Sequence, residues 1–253
     1  MTLLDVAAPA ATGMSRAERK LAVSVALASR MLSDGGHDDF NQGQVSARIP
    51  GSDTFLIKSA LCGFNEATPS DVVVAAVDHR IDPHPMAPPE LPLHQAIYAA
   101  RPDVNAIVHS HAPNTLVFGA LDTELLPLSH EGALFFDQVP RFTLTSNTIL
   151  TYEVGQAVAE ALGDNPAAFL RNHGGVAVGK TIRHAAVGAH VLERCCQLHI
   201  MALSTGRPFH VSKPEDIPGK RQYIYSDLSV RSYWDHAVRA VKARHPESVE
   251  WGA

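Results

Sequence analysis

His109-Ser110-His111 sets two imidazoles two residues apart. On a β-strand residues i and i+2 point to one face, so both rings could reach a single ion. The same pattern also suits two half-exposed strand histidines. A third histidine stands in Arg171-Asn172-His173-Gly174-Gly175, where the glycines let the backbone fold closely and turn the ring inward. A turn histidine bonded to backbone would read the same way. Three neutral imidazoles leave a coordination position open, as Lewis-acid catalysis requires and a closed structural site does not. Glu90 is the fourth candidate. It follows a proline-rich stretch and opens a helix, where the first turn favours a carboxylate whether or not it has chemistry to do.

The elements around these residues follow from capping and periodicity. Ser15 with Glu18 is a capping box, and Leu21, Val25, Ala28, Met31 and Leu32 continue at helical spacing until Gly35-Gly36. Residues 45–49 and 54–57 read as strands around Pro50-Gly51, and 72–77 as an apolar strand after a turn at 68–71. Residues 82–89 must be a loop, because proline neither donates a ladder bond nor sits inside a helix. Then come a helix over 90–100, a strand over 105–111, a helix or bent strand over 116–121, strand character over 142–150 and a helix over 154–162. Strands at 167–170 and 176–178 flank the His173 turn. Helices over 181–203 and 233–243 follow. Strands adjacent in sequence favour a helix-flanked sheet with antiparallel pairs over a doubly wound parallel one. Residues 1–14 are expected to be a flexible arm and 15–253 one catalytic domain.

The bulk numbers exclude several classes. Of 253 residues, 45% are hydrophobic and 19% charged, the balance of a globular chain with a sizeable core. A net charge of −5 with no basic stripe argues against nucleic acid. No apolar run is long enough to span a membrane, and a cytoplasmic location is expected. The three cysteines, Cys62, Cys195 and Cys196, offer no paired spacing for a disulfide framework or a Cys-based zinc site. Histidine, at 14, is the unusual count.

Glu90-Leu-Pro-Leu-His94, Ile97-Tyr98, Arg101-Pro102-Asp103-Val104, Ala106-Ile107-Val108-His109-Ser110-His111, Leu170-Arg171-Asn172-His173-Gly174 and Val178-Gly179-Lys180 closely resemble the class II aldolase and adducin head family. The matching stretch runs from about residue 22 to 206. The resemblance implies a three-layer α/β/α fold with a largely antiparallel central sheet. It implies one divalent metal ion per subunit (zinc, manganese or iron) on His109, His111 and His173, with Glu90 as an acid/base that can also touch the metal. It further implies a homotetramer with sites at subunit interfaces, where Tyr223, Tyr225 and the C-terminal tail are candidates for residues lent by a neighbour.

The departures from the sugar-phosphate branch are specific. Gly43-Gln44-Val45-Ser46 stands where those members carry Gly-Asn-x-Ser. Lys58-Ser59-Ala60-Leu61 replaces their Thr and Ser/Thr-Gly pair, and Pro88-Pro89 replaces two serines before the glutamate. With those hydroxyls and a backbone donor gone, the pocket is not expected to hold a phosphate dianion. Gln44, Arg48, Lys58 and Ser59 are the substrate-binding candidates, with Lys58 as the anchor for a carboxylate; Lys58 also fits a solvated strand residue and Arg48 a structural ion-pair partner. His130 is a further catalytic candidate, though a loop histidine is more often simply exposed.

A family branch without the phosphate motifs resembles the aromatic-acid decarboxylases. The expected function is therefore a metal-dependent carbon–carbon lyase on a small-molecule carboxylate, decarboxylating a hydroxylated aromatic or related cyclic acid. The alternatives are an aldolase on a non-phosphorylated hydroxy-keto acid, an iron-dependent oxidative decarboxylase, and a non-enzymatic adducin-like interaction module.

Overall fold

A computed structural model describes residues 13–137 and 139–252. Met14 packs against the core and its carbonyl accepts from Arg19, so the folded region begins slightly before residue 15. The rest of the expected arm, residues 1–12, lies outside the described residues. At Ser15 both halves of the capping box form: its hydroxyl accepts from the Glu18 amide and its own amide donates to the Glu18 carboxylate, opening helix α1 (Arg16–Leu32).

Among the described residues seven strands make one sheet: β1 (Gln44–Arg48), β2 (Thr54–Lys58), β3 (Val72–Ala76), β4 (Ala106–Ser110), β5 (Arg141–Phe142), β6 (Ala167–Leu170) and β7 (Gly174–Gly179). Their order is β3-β2-β1-β4-β7-β6-β5, and every pairing is antiparallel except β5 with β6. The helices are α1, α2 (Leu91–Ala100), α3 (Pro113–Ala120), α4 (Tyr152–Leu162), α5 (Ile182–Ser204), α6 (Ile217–Ile224) and α7 (Asp227–Arg244).

Because strand side chains alternate, the sheet divides the core in two. Val45, Ala47, Leu56, Ala106, Val108, Phe169 and Ala177 pack on one side with α1, α3, α5 and α7. Phe55, Ile57, Ile107, Ala168, Leu170, Val176 and Val178 pack on the other with α2 and α4. The result is the three-layer α/β/α arrangement with a largely antiparallel sheet.

Four expectations change. The 116–121 segment is helical and starts at Pro113, where the Glu193 carboxylate accepts from the amides of Asn114 (3.0 Å) and Thr115 (2.7 Å). A negative charge at a helix N-terminus satisfies donors that have no partner within the helix. The last long helix begins at Asp227, capped by Ser226, earlier than 233. Helix α6 had no clear sequence signal. Finally, 142–150 is a strand only at its start. Thr145 Oγ1 takes the Asn147 amide in a local turn, and the Ile149 amide donates to Glu90 Oε1 at 3.0 Å instead of to a ladder.

Two histidines inside this fold are held neutral. His94 Nδ1 meets Ser46 Oγ at 2.8 Å, and burial followed by the nearby His109 lowers its pKa to about 3. His37 Nδ1 meets Ser110 Oγ at 2.8 Å, and burial lowers its pKa to about 4. Above the ordinary value of 6.5 neither folded nor unfolded chain protonates them. Below it the unfolded chain binds protons that the folded chain refuses, so stability falls as pH drops from 6.5 toward 4. Urea midpoints of the metal-free chain at pH 7.5, 6 and 5 should decline in that order, and less so for His94→Gln; a flat series would contradict it. A second expectation concerns packing: Phe169 is fully buried against Phe118 and Gly119, so Phe169→Ala should cost roughly 3–5 kcal/mol in denaturant unfolding.

Candidate metal centre

The histidine pair sits where β4 ends. His109 shares the parity of Ile107 and so points to the α2 side of the sheet. His111 is one residue past the strand and keeps the same direction closely enough that the rings lie 5.1 Å apart. His173 comes from the connection between β6 and β7, which pairs with β4 in the register Ser110↔Gly175. Its ring centroid is 5.1 Å from each of the other two, so the three rings form an equilateral triangle.

The glycines after His173 are dictated by this approach. A Cβ on Gly174 would lie 2.4 Å from the Ser110 carbonyl oxygen, and φ there is +157°. A Cβ on Gly175 would lie 2.7 Å from the Thr115 methyl. Any larger residue would push the His173 turn away from the ligand strand.

Glu90 occupies the N-cap position of α2, its backbone already turning. Its carboxylate lies 3.0 Å from His109 Nε2 and 3.3 Å from His173 Nε2. One ligand atom from each of Glu90, His109, His111 and His173 falls within 4.8 Å of all the others. His109 and Glu90 are buried, whereas His111 and His173 are partly exposed, so the group opens to solvent on their side.

The donor chemistry fits a divalent metal. His109 Nδ1 is held by the Gly175 carbonyl at 3.0 Å, and His111 Nδ1 by Asp39 Oδ2 at 2.8 Å. Each of these partners only accepts, so each neutral ring carries its proton on Nδ1 and leaves the Nε2 lone pair free. Both Nε2 atoms are buried without a hydrogen-bond partner. A buried, unpartnered ring nitrogen is costly unless something binds it. Two such atoms beside a carboxylate match an imidazole/carboxylate cation site.

The electrostatics agree. Burial alone would raise the Glu90 carboxyl, but His109, the Ile149 amide and His173 hold it well below the usual carboxylate range. Burial opposes charge on His109, yet Glu90 outweighs it and raises that ring's proton affinity. Burial and then His109 lower His173 to about 4, and the same two causes lower His111. The lowered proton affinity of His111 and His173 favours their neutral form, the one that can ligate.

The other candidates separate. Gln44 pairs with His109 across β1 and β4, and its Nε2 is 3.5 Å from Glu90 Oε2, while its Oε1 stays buried and unpartnered. Arg48 donates to the carbonyls of Tyr98 (2.8 Å) and Val104 (3.3 Å) and stacks over the Tyr98 ring. Lys58 shares the parity of Leu56, on the α1 side of the sheet, and its ammonium donates to the carbonyls of Asn41, Ser59 and Cys62. Ser59 is buried beside Cys62. His130 is exposed, next to the Tyr223 ring and away from the cluster. Tyr225 donates its hydroxyl to the His184 carbonyl, and Glu247 near the C-terminus pairs with Arg30 at 3.0 Å, so both serve this chain's own packing. Sequence reasoning missed Asp39, whose link to His111 spans 72 residues and leaves no local signal.

Residues 23–200 match the family described as Class II Aldolase and Adducin N-terminal domain. A putative aldolase class 2 protein of Caulobacter vibrioides is 31% identical over 206 residues, covering 80% of each chain. The 3,4-dihydroxyphthalate decarboxylase of Arthrobacter keyseri is 27% identical over 244 residues, covering 87% of this chain and 93% of that protein. The crystal structure of an aldolase II superfamily protein from Pseudomonas syringae superposes with a TM-score of 0.81 at 27% identity, covering 92% of this chain and 96% of that one.

Glu90 raises the proton affinity of His109, and a metal on that ring competes with the proton, so binding should release protons and apparent affinity should fall with pH by up to roughly tenfold per pH unit. Titration calorimetry with zinc in buffers of different ionisation enthalpy reads this directly. Buffer-independent heats together with equal affinity at pH 6 and pH 8 would contradict the assignment of the cluster.

Proposed function

The chain belongs to the class II aldolase and adducin family, and from that premise we propose that it is a metal-dependent carbon–carbon lyase that decarboxylates a hydroxylated aromatic or related cyclic acid. The observation that carries the reading is the convergence of three imidazoles and one carboxylate with two ring nitrogens buried and unpartnered. His109, His111 and His173 would hold the ion, with Glu90 beside it. A divalent ion bound there supplies Lewis-acid stabilisation of the electron pair left behind when a carbon–carbon bond breaks.

The chain's own groups account for the proton. Glu90, whose carboxylate accepts from the Ile149 amide, is a base for the substrate's hydroxyl. When the bond from the ring carbon to the carboxylate breaks, its electrons stay on the ring and carbon dioxide leaves. Glu90 then returns the proton to that carbon. Gln44 favours a hydroxylated substrate. Its amide nitrogen faces the Glu90 carboxylate, which leaves Oε1 as an acceptor, and a hydroxyl is the group that satisfies it.

Decarboxylation is favoured over sugar-phosphate cleavage by Pro88-Pro89, which removes hydroxyls and an amide beside Glu90, and by the similarity to the dihydroxyphthalate enzyme over nearly its whole length. An aldolase acting on a non-phosphorylated hydroxy-keto acid would use the same centre. The reading includes a homotetramer with sites at subunit interfaces. Phe40 and Leu150, 90% and 60% exposed, adjoin Asp39 and Ile149, two of the residues that touch the centre from outside it. The free, buried cysteines fit a reducing cytoplasm.

The test is a panel of hydroxylated aromatic dicarboxylates with zinc, manganese or iron(II), read by carbon dioxide release with and without oxygen. Expected is oxygen-independent release, reduced at least about a hundredfold in Glu90→Gln and abolished with metal binding in His109→Ala. Gln44→Leu should raise KM for hydroxylated acids. No release across the panel, with cleavage of a hydroxy-keto acid instead, would replace decarboxylase by aldolase.

A further inference from the structure

Asp39 reaches His111 from a segment with an unusual build. It follows the turn at residues 33–37, where Gly36 has φ +85°, and it precedes Phe40, a non-glycine residue at φ +51°. A left-handed phenylalanine with its side chain 90% exposed is held by what surrounds its backbone, because its own side chain contributes little. The surroundings are on hand. The Gln42 amide returns to the Asp39 carbonyl at 2.9 Å, Ser33 donates to Asp38 at 2.7 Å, and Asn41 Nδ2 donates to the Ala60 carbonyl at 3.1 Å. Lys58, buried to 1% exposure, donates to the carbonyls of Asn41, Ser59 and Cys62 and so ties this segment to the loop after β2.

A buried ammonium without a carboxylate partner is expensive to keep. Its three carbonyl bonds explain how it is tolerated, and their location explains what it does: one end of the tie is two residues from Asp39. We propose that Asp39 is the positioning residue of the metal centre, fixing His111 with its proton on Nδ1 and its Nε2 lone pair toward the other ligands, and that Lys58 is the staple that holds Asp39 in place. The proposal rests on the metal reading of the cluster, and it assigns work to a cation that the sequence alone had placed on the substrate.

A carboxylate behind a ligating histidine typically changes metal affinity 10–100-fold when removed. Asp39, its side chain 40% exposed, makes a single partly solvated contact with the His111 ring, so its loss should act on the metal and spare the fold. The experiment is competition of the full chain for zinc against a chromophoric chelator, with thermal unfolding of the metal-stripped protein alongside. Asp39→Ala should bind zinc 10–100-fold more weakly with a nearly unchanged midpoint. Asp39→Asn, whose amide oxygen still accepts from Nδ1, should lose less. In a His111→Ala background Asp39→Ala should cause no further loss. Ring nitrogen-15 shifts should show the His111 Nδ1–H tautomer in the wild type and a mixture in Asp39→Ala. Lys58→Met should weaken zinc binding in the same direction, and if that variant fails to fold the Asp39 series still decides. Wild-type affinity in Asp39→Ala would overturn the proposal while leaving the metal reading intact. Failure of the wild type to bind zinc, manganese or iron(II) would remove both.

Discussion

A carboxylate and an imidazole stand 3.0 Å apart inside the sheet–helix layer, Glu90 and His109, both essentially without solvent. Placing such a pair there is costly, and the surrounding structure can be understood as its compensation. The Ile149 amide and the Gln44 amide approach the carboxylate, His173 flanks it, and the Gly175 carbonyl takes the other side of the His109 ring. Even so the compensation is incomplete, since buried ring nitrogens remain unpartnered. A core that accepts this penalty on several elements at once is organised around something besides its own stability.

The elements converge because of register. β4 lies at the middle of the sheet, between β1 and β7, so its last residues are reached from both sides. From β1 comes Gln44, opposite His109; from the β6–β7 turn comes His173, brought in by glycines that permit backbone contact with Ser110. Helix α2 supplies Glu90 at its first turn, and behind it His94 and Tyr98 both contact the Ser46 hydroxyl, fixing the helix against the same strand. The cluster is therefore a property of strand order and one helix start, and none of its members depends on a long flexible loop.

This explains what was legible in the sequence. Three histidines and Glu90 could be named because each lies in a short motif whose own geometry aims it: H-x-H on a strand, His-Gly-Gly in a turn, Glu at a helix start after prolines. The layered sheet was legible from capping, periodicity and resemblance. The face that Lys58 takes was not legible, because Phe55, Leu56 and Ile57 are all apolar and the strand shows no alternation. Residues 142–150 were misread because a β-rich composition says nothing about an amide drawn out of the ladder by a carboxylate 59 residues away. Asp39 and Glu193 act through side chains that cross more than 70 residues, and one sequence carries no mark of such partners.

Charge narrows what can bind. A dication held by three neutral imidazoles and one carboxylate would carry a formal surplus of one positive charge. With Arg48 turned to the Tyr98 and Val104 carbonyls and Lys58 on the far face of the sheet, neither cation expected at the site adds to it. A ligand that chelates through one ionised oxygen and one neutral or hydrogen-bonded oxygen balances that surplus; a phosphate dianion overshoots it and, at Pro88-Pro89, finds no backbone donors. On the proposed reading the same balance would suit a hydroxy acid, whose hydroxyl proton would pass to Glu90 as the carbon skeleton breaks. Acid/base chemistry and ligand selection would then rest on one carboxylate, and a bound substrate that shields Glu90 from its histidine neighbours would have to raise its proton affinity for the first of these.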